Sequence, residues 1–198
     1  WGADPSRVDY QKLYENRFSV LRLACSRLGR GDLFELRGVL HDAHWLDDYA
    51  LFMALKDKFG GASWFQWPEE LRRREPAALK AAKAELKEDI RFWTTVQLLF
   101  FNQWWNLKEY ANEKGVSIIG DLPIYVAGDS ADVWANPSQF QLDENLMPTE
   151  VSGCPPDGFA ADGQLWGNPL FDWERMREDG YQWWLERVAF QLEIYDVL

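Results

Sequence analysis

The residues most able to do chemistry lie in the last third of the chain. Asp121, Asp129, Asp132, Asp143, Asp157 and Asp162 share that stretch with Tyr125, Trp134, Phe140, Phe159, Trp166, Phe171 and Trp173. Two carboxylates about 5 Å apart could act as nucleophile and acid/base in retaining glycoside chemistry. Aromatic faces suit the C–H face of a sugar ring, and carboxylate or amide groups suit its hydroxyls. Spacing does not say which two carboxylates meet. Asp121 has the best position, because it follows a short apolar run, residues 116–119, that reads as a buried strand. Parallel barrels place their sites at such strand ends. Asp157, between Pro155-Pro156 and Phe159, ranks second. Asp129 and Asp132 read as cap or turn residues, and Asp143 as part of a small hairpin.

Other chemistries find little support. The net charge of -11 argues against nucleic acid, since phosphate binding needs a basic stripe. Arg72-Arg73-Arg74 is surrounded by Glu69, Glu70 and Glu75. Gly60-Gly61 lacks the Lys-Ser/Thr of a phosphate loop, and no G-x-S-x-G is present. His41 and His44 stand three apart without further ligands and read as a solvated helix end, so no metal is expected. Cys25 and Cys154 read as a reduced pair, though one disulfide is open to them. No apolar run approaches a membrane span, and no signal peptide precedes the first helix. The chain starts at Trp1, which reads as a processed, tagged or cut product.

The 198 residues, 47% of them hydrophobic, suffice for one sizeable core. Helical spacing predicts a first helix from Asp4-Pro5 to about Leu28, with Tyr10, Leu13, Tyr14, Phe18, Leu21 and Cys25 inward. A short helix follows from Asp32 to His41, then one from Trp45 to Phe59 ended by Gly60-Gly61. Trp64-Phe65-Gln66-Trp67-Pro68 reads as a hydrophobic plug, with a sugar platform as the alternative. Pro68 opens a short helix through Arg74. From Pro76 to Lys114 the pattern is helical, with a break near residues 85–87. Its second part is apolar nearly all round and should be buried on several sides.

A helix feeding a buried strand through Gly115 is an α/β unit. Beyond it, Ser130–Trp134 predicts one helical turn, and residues 140–151 a small hairpin. Pro155 to Asn168 reads as loop. Trp173–Glu178 is a short helix, and Tyr181–Tyr195 an amphipathic one with Trp184, Leu185, Val188 and Leu192 on its apolar face. Asp196, Val197 and Leu198 read as the start of another strand cut short.

Several of these stretches carry a resemblance. I-I-G-D-L-P-I-Y-V-A at 118–127, D-S-A-D-V-W-A-N-P at 129–137, F-Q-L-D-E-N at 140–145, G-C-P-P-D at 153–157 and G-Q-L-W-G-N-P-L-F-D-W at 163–173 closely resemble the amylomaltase family of 4-α-glucanotransferases. D-D-Y-A-L-F-M-A-L-K at 47–56 and Q-W-W-N-L-K-E-Y-A-N at 103–112 are similar to the same family. The resemblance implies part of a (β/α)8 barrel of the α-amylase clan with a large helical insertion, in a predominantly helical α/β fragment. Residues 1–114 would be the insertion. Residues 115–198 would hold a barrel strand, the acceptor loop and the following helix.

It also implies a retaining transfer of α-1,4-glucan segments between maltooligosaccharides, without metal or organic cofactor. Asp121 would support the sugar at the cleavage site. Gln164 and Trp166 would contact glucose units, with Asp157, Phe159 and Asn168 beside them. Gly158 departs from the family, where many members carry Tyr. None of the family's catalytic carboxylates falls within 1–198. The nucleophile and the acid/base would lie beyond Leu198, since the nucleophile's motif follows the stretch that 195–198 resembles. The chain thus reads as an internal fragment. Non-catalytic glucan-binding or purely structural helical modules are the alternatives. A cytoplasmic place, or a plastid in a plant, is expected. So is a homodimer through the unpaired strand at 116–123, unless the aromatic helices cover that strand.

Overall fold

In a computed structural model the described residues are 4–29, 40 and 43–198, and more than half of them are helical. The expected helix at 32–41 lies outside them, apart from residue 40. The long helices are α1 (Tyr10–Ser26), α2 (Trp45–Lys58), α4 (Pro76–Glu85), α5 (Lys87–Glu113) and α8 (Gln182–Ile194); α3 (Glu69–Arg72), α6 (Ala131–Ala135) and α7 (Trp173–Glu178) are short. Two strands, β1 (Val151–Cys154) and β2 (Gln164–Pro169), form an antiparallel hairpin.

Helix α1 begins later than its sequence predicts. Asp4 closes a turn on Ser6, accepting its amide at 2.8 Å. Asp9 takes the cap instead, accepting the Lys12 amide at 3.0 Å. Phe18, Leu21 and Cys25 pack on the core, whereas Tyr10 and Tyr14 are about three-quarters exposed, against expectation. Arg22 ties α1 down, reaching Asp57 and Asp89 at 2.8 Å each.

Helix α2 forms the centre. Asp47 and Asp48 in its first turn and Lys56 and Lys58 in its last complement the helix dipole. Gly60 and Gly61, at φ of 63° and 81°, let the chain leave it. Leu51, Leu55, Trp64 and Trp134 are fully buried, and Trp67 nearly so, which makes the 64–67 aromatics a plug. Burying each such side chain stabilises by about 1.5–3 kcal/mol. The Trp134 indole donates to the Leu71 carbonyl at 2.9 Å, and Arg74 lies over its ring at 4.3 Å. This core draws on Val126, Val133, Phe140, Phe171 and Met176 as well as on the helices before residue 114.

The predicted break falls at Leu86, between α4 and α5. Helix α5 is buried only in its first half, through Phe92, Trp93, Thr95, Leu98 and Phe101. Phe100, Leu107 and Tyr110 stay more than half exposed, contrary to the all-round burial expected. Its 27 residues span about 40 Å and overhang the 14-residue α2, about 21 Å long. The overhang meets the end of α8. Trp104 donates to the Ile194 carbonyl at 3.0 Å, and Lys108 to that of Glu193 at 2.7 Å. On α8, Trp183 and Trp184 pack on the core, while Leu185 and Leu192 are exposed, so the apolar face is rotated from the expected one.

The run at 116–119 is no buried strand. Val116 is 55% and Ile119 75% exposed. Its partner is a segment of the same chain: Ile119 and Val197 form a parallel bridge, with the Gly120 amide donating to the Val197 carbonyl at 2.8 Å. A single short neighbour leaves the faces of the run open. Residues 196–198, expected to open a strand, supply that one bridge and no longer ladder, and Leu198 itself is left exposed.

Candidate functional site

The β1–β2 hairpin gathers most of the predicted site residues. Its register pairs Gly153 with Leu165 and Cys154 with Gln164. Gly153 admits this approach, since a Cβ there would lie 2.5 Å from the Gln164 carbonyl oxygen. Gln164–Pro169 is therefore strand, where the composition reads as loop. Pro155–Gly163 connects the two strands and carries Asp157 and Phe159.

Asp157 shapes that connection. One carboxylate oxygen accepts the amides of Phe159 and Ala160, both at 2.8 Å. This is an Asx-type turn, and it projects Phe159 fully into solvent. On β2 the Trp166 indole donates to Gln164 Oε1 at 3.0 Å, which sets the plane of a half-exposed ring. Asn168 is engaged within the protein at both ends of its amide. Nδ2 donates to the Val126 carbonyl at 2.9 Å, and Oδ1 accepts the Ser152 hydroxyl at 3.3 Å.

Asp121 stands apart, on the segment that follows the 116–119 run. It is exposed, and its carboxylate has no hydrogen bond or ion pair among the described residues. The link from its segment to the hairpin is Tyr125, whose ring lies 6.2 Å from that of Trp166 and stacks on Phe171 at 6.1 Å and 10°. Sequence reasoning counted Tyr125 among the loop aromatics but gave it no role. Its signal was its place four residues after Asp121. Behind Phe171, Trp173 stacks on Trp184 at 6.1 Å and 13°. Leu198, beyond which the nucleophile and acid/base are expected, follows the Ile119–Val197 bridge on the side of the Asp121 segment. It is an apolar residue and brings no chemistry of its own to the site.

Of the other carboxylates, Asp143 and Asp129 have structural partners. Asp143 accepts the amides of Asn145 and Met147, as its hairpin requires. Of the two readings for Asp129, cap or turn, the cap falls to Ser130 on α6; Asp129 lies in the bend before it and pairs with Lys56 at 2.7 Å. Its partner is remote in sequence, so local spacing gave no hint. Asp132 lies in the first turn of α6. Burial lowers the affinity of the Arg187 guanidinium for its proton, and Asp132 opposes that shift. Arg187 also donates to the Pro123 carbonyl at 2.9 Å. Among the described residues, no group of three or more His, Cys, Asp and Glu could hold a metal ion. His44 precedes α2, and His41 lies outside the described residues. Cys25 and Cys154 are free thiols.

Half-exposed aromatic rings, an amide that orients one of them and the open Asp121 carboxylate set apolar faces and polar groups on one helical scaffold. The chain belongs to the 4-alpha-glucanotransferase family, whose model matches residues 2–198. It is 44% identical over 200 residues to the 4-alpha-glucanotransferase of Clostridium butyricum, covering 100% of this chain and 41% of the relative. It is 44% identical over 202 residues to that of Thermus thermophilus, at 100% and 40% coverage. The chloroplastic/amyloplastic enzyme of Arabidopsis thaliana is 41% identical over 199 residues, at 98% and 34%. The structure is similar to that of the amylomaltase from Streptococcus agalactiae in complex with acarbose, at a TM-score of 0.92 and 40% identity, covering 98% of this chain and 40% of that one. The chain thus spans about two-fifths of the length of these bacterial relatives.

Proposed function

We propose that this chain forms the helical insert and the acceptor-side sugar face of a 4-α-glucanotransferase that transfers α-1,4-glucan segments with retention. The observation that carries this reading is the group of half-buried Tyr125, half-exposed Trp166 and exposed Gln164 beside the Phe159 loop, where two rings and an amide present the contacts a glucose unit needs. The similar amylomaltase from S. agalactiae was solved with acarbose, which supports an oligosaccharide ligand here. Trp166 and Phe159 would stack on glucose units, Gln164 and Asp121 would meet hydroxyls, and Asp157 and Asn168 would hold the loop that presents them. No metal or organic cofactor enters this reading.

The catalytic carboxylates would come from sequence beyond Leu198. A retaining pair needs two carboxyls about 5–5.5 Å apart. Asp121 and Asp157 lie on different segments, and Asp157 is engaged in its own turn. The Ile119–Val197 bridge supports a barrel reading, because βαβ units give parallel neighbours and further strands would cover the exposed faces at 116–119 and 196–198.

Maltotriose disproportionation by the 198-residue chain alone, followed by chromatography, tests the division of labour. No glucose or longer oligomers should form, while maltoheptaose should quench tryptophan fluorescence and the quench should vanish in Trp166→Ala. Product formation would place the chemistry inside the chain. A quench that survives Trp166→Ala would move the sugar face elsewhere.

A further inference from the structure

We infer that Lys56, in the last turn of α2, is a positioning residue for Trp166; the consequence for glucan affinity rests on the sugar face proposed above. Lys56 ends the inward run of α2, and its ammonium has three acceptors: the carbonyls of Gly61 at 2.9 Å and Ala62 at 3.0 Å, and Asp129 Oδ2 at 2.7 Å. Those are all the hydrogen bonds an ammonium can donate. Its side chain is 18% exposed, so water screens the pair less than it would a surface pair.

From Asp129 the contacts continue toward the hairpin. Asp129 Oδ1 accepts the Trp64 amide at 3.1 Å, and the Trp64 indole donates to the Gly128 carbonyl at 2.8 Å. Trp64 is fully buried, so residues 128 and 129 are fastened to a fixed wall. A Cβ at Gly128 would lie 3.7 Å from both the Phe65 ring and Pro169, so this backbone passes between the plug and the last residue of β2. Two residues earlier, the Val126 carbonyl accepts Asn168 Nδ2 at 2.9 Å. Asn168 and Pro169 end the strand that begins with Gln164 and Trp166, and Tyr125, next to Val126, touches the Trp166 ring. Each step is a hydrogen bond, a close approach or two residues of backbone, which is the physical form that coupling between distant groups requires.

Lys56 already complements the helix dipole in the last turn of α2. The geometry gives it a second role. Without its charge Asp129 has no cation, the 128–129 backbone loses one of its three fastenings, and the end of β2 can shift against the plug.

The test labels the chain with 5-fluorotryptophan and follows its 19F NMR spectrum, the Trp166 and Trp64 signals being assigned by Trp166→Phe and Trp64→Phe. In Lys56→Met, which keeps most of the apolar stem and removes the charge, the Trp166 signal should shift or broaden, and maltoheptaose affinity should fall about five- to ten-fold. Asp129→Asn keeps the bond from the Trp64 amide and serves as the milder variant should Lys56→Met fail to fold; it should move the same signal. Lys56→Arg, which keeps the charge, should restore it in part. A Trp166 signal unchanged in both variants while that of Trp64 moves overturns the inference, since the perturbation then stops at the plug. A displaced Trp166 signal in a chain that does not bind maltoheptaose leaves the coupling standing and removes the glucan reading instead.

Discussion

The carboxylate of Asp196 accepts the backbone amide of Ile118 at 2.8 Å. That bond starts the pairing of two segments from opposite ends of the second half of the chain. The Asn112 side chain donates to the same oxygen at 2.8 Å, and Lys108 stands 3.6 Å from the other. The Ile118 amide first, then Asn112, hold the Asp196 carboxyl below the usual carboxylate range. A lowered folded-state value stabilises the protein above the unfolded value, roughly pH 4, and this contribution is lost as pH falls through the lowered one. We therefore expect Asp196→Asn to lower the melting temperature at pH 7 and to flatten its fall on acidification. Thermal unfolding of both proteins between pH 7 and pH 3 checks this. Identical profiles would separate Asp196 from the pairing.

Gly120 makes the same pairing possible by having no side chain. A Cβ there would lie 2.0 Å from Tyr195 Cδ2, and the Tyr195 ring is itself set edge-on against Trp104 at 5.9 Å. Gly120→Ala must displace that ring or the backbone, which costs about 1–3 kcal/mol. The double variant Gly120→Ala/Tyr195→Ala should be less destabilised than the sum of the two single changes, because without the Tyr195 ring the added methyl has nothing to strike. Chemical denaturation of the four proteins gives the coupling directly.

What could be read from residues, and what could not, divides along a physical line. The break at Leu86 and the exits at Gly60 and Gly61 depend on neighbours a few residues away, and local rules found them. The plug of Trp64 and Trp67 was legible because so much aromatic surface beside Pro68 rarely stays in water. Tyr10, Tyr14, Leu185 and Leu192 were misread for one reason. Periodicity says which residues share a helix face, not whether anything packs on it. Gln164–Pro169 reads as loop by composition, and only its pairing with Val151–Cys154 makes it a strand. At the candidate site, the types of Asp157 and Asn168 suit a sugar or a turn equally, and the fold engages both in the protein's own hydrogen bonds.

Trp134 should be the most sensitive core position. Its ring is fully buried, lies 5.8 Å from both Phe52 and Trp67, and supplies the hydrogen bond to Leu71. Trp134→Ala should cost about 3–5 kcal/mol. Trp134→Phe keeps most of the packing and removes only the indole's bond to the Leu71 carbonyl, which still accepts the Arg74 amide at 3.2 Å, at about 0.5–1.5 kcal/mol. Urea denaturation should rank the two in that order. Equal losses would mean that the hydrogen bond, not the packing, dominates.

Gln164 offers a way to separate holding an aromatic ring from touching the ligand. Its Oε1 fixes the Trp166 indole at 3.0 Å. If that orientation is its contribution to glucan binding, Gln164→Glu keeps an acceptor for the indole and should retain most of the affinity. Gln164→Ala frees the ring and should weaken maltoheptaose binding by about 0.5–1.5 kcal/mol, the usual net value of such a bond. If instead the amide N–H groups donate to sugar hydroxyls, both variants should lose affinity alike, because glutamate has no donor to replace them. Calorimetric titration of maltoheptaose into the three proteins decides between these. Adding Trp166→Ala to each makes the decision sharper: where Gln164 acts only through the ring, its substitution should have no further effect once the ring is gone.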